Sequence, residues 1–137
     1  MQRTILLTLL VIGYVGNLAM MGRAGQDGGF AKFFTEFQAA VKAGDKEKVA
    51  NMIDFNDFTW EATDALREVK TREAFLKNYD RMFTPAIKNR IATGRPKEGA
   101  KGNYTITWHT TNTEYGFDFL LQKDRSYKFL GYTVGPY

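Results

Sequence analysis

Cysteine is absent from this 137-residue chain. That absence excludes a disulfide framework, thiolate metal sites, a cysteine nucleophile and lipid attachment at a lipobox cysteine. Histidine occurs once, at His109, so a histidine-rich metal site is excluded as well. The apolar run from Ile5 to Ile12 is short of the ~20 residues that a membrane-spanning helix needs. Aromatic residues, by contrast, are plentiful: eleven Phe, seven Tyr and two Trp. Each buried ring removes a large area from water, so a core can form without covalent staples. Apolar residues make up 44% and charged residues 25%, the composition of a globular chain rather than a disordered one. The length fits one domain plus a targeting segment.

Residues 1–24 read as a signal peptide, followed by a single domain over residues 25–137. Arg3 supplies the charged start. Ile5, Leu6, Leu7, Leu9, Leu10, Val11 and Ile12 form a short apolar stretch interrupted by Thr8. Gly13 and Gly16 loosen the helix beyond that stretch, and Gly22-Arg23-Ala24 puts small residues where a signal peptidase reads them. Cleavage after Ala19 is a second site that fits, and an uncleaved N-terminal anchor is the competing reading. The expected location is therefore periplasmic or secreted, with no stable membrane anchor after cleavage. A cysteine-free exported domain fits a bacterial envelope better than a harsh extracellular space. Cleavage after Ala24 removes Arg3 and Arg23 and no acid, so the formal charge of +4 falls to +2. The sequence pI near 9.3 thus overstates the basicity of the domain, and nothing calls for nucleic acid.

The period of the apolar residues changes along the chain. Phe30, Phe33, Phe34, Phe37 and Val41 mark one stripe of a helix, with Gly44 as its stop and Asp45 as cap of a second helix carrying Val49, Met52 and Ile53. Residues 54–70 are read as a weak β-hairpin. Thr71 caps a third helix with Phe75, Tyr79, Met82 and Phe83 on one face. Thr84 and Pro85 open a fourth, with Ile87 and Ile91 inward and Gly94 at its end. Arg95 to Gly102 is expected as a polar loop. Beyond it the period becomes two. Tyr104, Ile106 and Trp108, then Tyr115, Phe117, Phe119 and Leu121, then Tyr127, Phe129, Gly131 and Thr133 predict a three-stranded antiparallel meander. Helices first and strands last give an α+β class with helices over one face of the sheet.

This order of elements, from about Phe30 to the C-terminus, resembles the NTF2-like superfamily and its exported bacterial members. The resemblance rests on the Phe-rich first helix, the Gly44-Asp45 junction, the stretch from Arg72 to Asp80, and the closing Tyr127-Lys128-Phe129-Leu130-Gly131-Tyr132. It departs at residues 54–70, where the family's early strands are clearer. The resemblance implies a cone: N-terminal helices closing over a curved antiparallel sheet, with a pocket between them. Superfamily members include enzymes, ligand binders and interaction modules, so the fold alone does not assign an activity.

Among chemistry-bearing residues, Asp118 is the candidate general base, paired with a Tyr hydroxyl such as Tyr79 or Tyr132; burial would raise its pKa. Strand alternation instead sends Asp118 to the face opposite Phe117 and Phe119. It would then lie outside or pair with a cation such as Lys128. His109 lies on the Thr105/Thr107 side of its strand, as a surface or sheet-edge residue. Gly94 to Lys101 fails as a phosphate loop, because its Lys is one residue late and no Ser or Thr follows. An acidic stretch (Asp54, Asp57, Glu61, Asp64, Glu68) and a basic one (Lys88, Arg90, Arg95, Lys97, Lys101) suit docking to a partner or to a second copy, or are two solvated faces. Trp60, Tyr79, Trp108, Phe119 and Tyr132 are the candidate pocket residues, since Trp and Tyr bring a polar handle to an apolar wall. The leading expectation is an exported, non-catalytic module binding a small apolar ligand or a protein, with no cofactor and no metal. The alternatives are a small isomerase, dehydratase or hydrolase using an Asp/Tyr pair, and an envelope immunity or accessory protein.

The export reading predicts that protein recovered from its native compartment has an intact mass starting at Gly25, or at Met20 for the alternative site. Full-length chain in the membrane fraction would refute it.

Overall fold

A computed structural model describes residues 28–61, 66 and 69–136. Residues 1–24, read above as a signal peptide, lie outside these residues, as does part of the 54–70 region. Four helices, α1 (Gly28–Ala43), α2 (Lys46–Asn51), α3 (Arg72–Met82) and α4 (Pro85–Thr93), accompany five strands: β1 (Thr59–Trp60), β2 (Lys97–Glu98), β3 (Asn103–His109), β4 (Thr113–Leu121) and β5 (Tyr127–Pro136). The sheet order is β1-β5-β4-β3-β2, with β1 parallel to β5 and the remaining pairs antiparallel. The α+β class stands as expected. Among the described residues no helix is long and apolar enough to cross a membrane.

Local chemistry sets the helix ends. Phe30, Phe34, Phe37, Ala40 and Val41 are the buried stripe of α1. Gly44, at φ +68°, terminates it. The Gly44 amide donates to the Val41 carbonyl and the Asp45 amide to the Ala40 carbonyl, which satisfies two orphan acceptors. The Asp45 carboxylate then accepts from the Lys48 amide and starts α2. Thr71 caps α3 by accepting from the Ala74 amide, and Thr84 caps α4 with Pro85 in its first turn. Gln38 of α1 donates to the Ile91 and Ala92 carbonyls, tying the last turn of α4 to α1.

The core is a continuous set of rings between α1 and the sheet. Phe37 lies 5.4 Å from Phe119 and 4.8 Å from Phe129, centroid to centroid. Phe30 stacks on Tyr104 at 3.7 Å. No polar or charged side chain is fully buried among the described residues.

Three expectations require correction. The hairpin over residues 54–70 is not formed by the described part of that region; β1 is a two-residue strand that joins the far edge of the sheet, beside β5. The polar loop after Gly94 contains β2, which extends the meander at its other edge. The third correction concerns β5. Asp118 pairs with Gly131 but Phe119 pairs with Phe129, so Leu130 is an extra residue, a β-bulge. Alternation therefore resets: Tyr127 and Phe129 face the helices before the bulge, and Tyr132 faces them after it, in place of Gly131 and Thr133.

Gly131 also lets β1 dock. Its φ is +116°, and a Cβ placed there would lie 1.8 Å from the Thr59 carbonyl oxygen. Gly131→Ala should therefore cost about 2–4 kcal/mol from backbone strain and the clash. Urea denaturation measures this; a loss under about 0.5 kcal/mol would mean that β1 does not rest on Gly131.

Candidate functional site

The far end of the sheet carries a row of rings that leaves the core and reaches the surface. Trp108 of β3 and Tyr115 of β4 are directly opposed across the strands. Their rings are parallel, 5.4 Å apart. Tyr132 of β5, turned inward by the bulge, lies parallel to both, 5.9 Å from Trp108 and 6.2 Å from Tyr115. On its inner side Tyr132 touches buried Trp60 at 5.2 Å and Phe117 at 5.3 Å. Tyr132 is buried, whereas Trp108 and Tyr115 are half-buried. From α4 the Arg90 guanidinium lies over the Trp108 ring at 5.2 Å from its centroid, an attraction to the electron-rich ring face. Burial pushes the Tyr132 hydroxyl up from its ordinary pKa, the neighbouring Tyr115 adds to this, and Arg90 opposes it. Such a wall suits a flat or apolar group stacking against rings, with an arginine at the rim.

Of the five residues expected to line a pocket, Trp60, Trp108 and Tyr132 come together here. Phe119 is elsewhere, fully buried between α1 and the sheet at 5.5 Å from Phe34. Tyr79 lies in the helical layer, stacked on Phe83 at 4.6 Å. Tyr115 and Arg90 were missing from the expected set. Tyr115 was legible: a turn centred on Thr111 and Asn112 puts position 115 opposite 108. Arg90 was not, because nothing local brings α4 over β3.

Asp118 lies on the outer face, half-buried, where the Thr105 hydroxyl donates to its carboxylate at 2.7 Å. Lys128 instead donates to the Asn51 carbonyl. The sheet thus separates Asp118 from Tyr132, and the Asp/Tyr pair is not assembled. His109 is exposed, with Nδ1 3.8 Å from a Glu114 carboxylate oxygen. No group of three His, Asp or Glu side chains is arranged to hold a metal among the described residues. The described part of the acidic stretch (Asp54, Asp57, Glu61) flanks β1, while Arg95, Lys97 and Lys101 flank β2, so the two charge stretches mark opposite edges of one sheet.

Tyr79 is buried and its hydroxyl has no hydrogen-bond partner. Burial, with the Asp80 and Asp45 carboxylates, pushes its pKa up to about 12. A phenol whose folded pKa is raised stabilises the fold while neutral. That contribution is intact below the unfolded value of ~10 and is lost as pH climbs toward the folded value. Tyr79→Phe should raise stability by about 1 kcal/mol at neutral pH, because it deletes an unpaired buried hydroxyl. It should also flatten the alkaline loss seen between urea melts at about pH 8 and about pH 11. A destabilised variant would mean that the hydroxyl is paired. Comparison of the chain with family models, curated proteins and solved structures finds no match.

Proposed function

We propose that this chain is an exported, non-catalytic binding module of NTF2-like type, with the open rings at the end of the sheet as its contact point for a small apolar ligand. One observation carries the reading: the Trp108, Tyr115 and Tyr132 rings stand parallel, and two of them are left half-buried at the end of the sheet. Leaving large rings partly wet forgoes stabilisation of ~25 cal/mol per Å² of apolar area, an arrangement expected where a ligand completes the burial. Helices lying over one face of a mostly antiparallel sheet support the NTF2-like assignment, as does the order of elements. The enzyme alternative draws no support from Asp118, which is held by Thr105 on the opposite face.

A neutral planar probe, N-phenyl-1-naphthylamine, tests this. It should bind and quench Trp108 emission, and Trp108→Ala or Tyr115→Ala should weaken it about tenfold, the equivalent of one lost stacking contact plus its buried area. Asp118→Asn should leave binding unchanged. Binding that survives Trp108→Ala and Tyr115→Ala would refute the site.

A further inference from the structure

The outer face of the sheet holds a second feature, which shares only Tyr115 with the ring wall. Directly opposed residues on neighbouring strands share a face. Lys97, Thr105 and Asp118 therefore form one row across β2, β3 and β4. Thr107, Gly116 and Thr133 form the next, across β3, β4 and β5. Two adjoining hollows run along these rows. One, of about 320 Å³, lies against Arg95, Lys97, Thr105, Thr107 and His109. The other, of about 260 Å³, shares Thr105 and Thr107 and runs over Gly116 to Asp118 and Thr133. Gly116 makes the second hollow, since a side chain there would fill its floor.

The charges in this trough are unevenly committed. The carboxylates are engaged: Glu98 accepts from the Gly102 amide at 3.1 Å, Asp118 from Thr105, and Glu114 lies near His109. Arg95 and Lys97 make no ion pair or side-chain hydrogen bond among the described residues. The β2 end thus presents two unpaired cations. The floor beyond them presents threonine hydroxyls and a carboxylate with accepting capacity left, groups that pair with ligand hydroxyls. No aromatic side chain projects from these rows to favour an apolar body.

We propose that this outer trough binds an acidic saccharide, its carboxylate held by Arg95 and Lys97 and its hydroxyls by Thr107, Thr133 and Asp118. Charge-assisted bonds at the cation end supply most of the affinity, which therefore falls with added salt. The cations and hydroxyls that hold the ligand lie outside the ring wall on the other face.

The test is calorimetric titration of the protein with trigalacturonic acid, with maltotriose and inorganic phosphate as comparisons. Trigalacturonic acid should bind at least about tenfold more tightly than either, and Arg95→Ala/Lys97→Ala should weaken it about tenfold or more. Thr133→Val should weaken trigalacturonic acid but not phosphate. Trp108→Ala should change nothing, which separates this site from the ring wall. Equal binding of phosphate would overturn the saccharide assignment. An equal loss in the charge-matched control Lys42→Ala/Lys77→Ala would overturn the site, as would no binding at millimolar ligand. Circular dichroism confirms that each variant is folded.

Discussion

The close approach of the Thr59 backbone to Gly131 governs how this sheet is assembled. A parallel neighbour can reach β5 there only because residue 131 has no Cβ. The same glycine sits beside the bulged Leu130, where the pairing of β5 with β4 slips by one residue. Slippage in a strand moves side chains to the other face. Before the bulge, β5 contributes Tyr127 and Phe129 to the core; after it, Tyr132. Without the extra residue Tyr132 would point to solvent and the ring row at the end of the sheet would lose its middle member.

Rings supply the cohesion of this cysteine-free core. α1 presents Phe30, Phe34 and Phe37 to Tyr104, Phe119 and Phe129 on three different strands, so one helix clamps the sheet across its width. α3 joins the same network through Phe75, which meets Phe58 at 5.8 Å edge-on. Edge and offset contacts of this kind each add ~0.5–1.5 kcal/mol beyond the area they bury. The network ends where helices no longer cover the sheet, at Trp108 and Tyr115, and there the burial becomes partial.

The two faces of the sheet consequently have different chemistry. The inner face is aromatic from Tyr104 to Tyr132. The outer face carries threonine, glycine and charge, with cations gathered at the β2 edge. The two proposed ligands differ accordingly: an apolar group against the first face, an anionic polar one against the second. Asp118 belongs to the second, and its bond to Thr105 makes it part of a polar surface rather than a desolvated base.

Much of this was legible in the residues. The α1 stripe, the Gly44 stop, the caps Asp45, Thr71 and Thr84, the period-two strands and the outward direction of Asp118 all follow from local periodicity and local hydrogen-bonding capacity. Trp60, Trp108 and Tyr132 were named from the sequence among rings that meet at the end of the sheet, and Tyr115 was within reach once the hairpin turn was placed. Phe119 and Tyr79 were misassigned to the pocket because aromatic type alone does not tell a wall from a core. The sequence by itself thus determined the helices, the meander and the side of the sheet each β3 and β4 residue faces, since these depend on neighbours a few positions away. Only the tertiary structure decided the inward turn of Tyr132, the parallel docking of β1 and the meeting of Arg90 with Trp108. Each of these arises from chain segments far apart in sequence, where backbone approach at Gly131 and pairing register, not local periodicity, set the outcome.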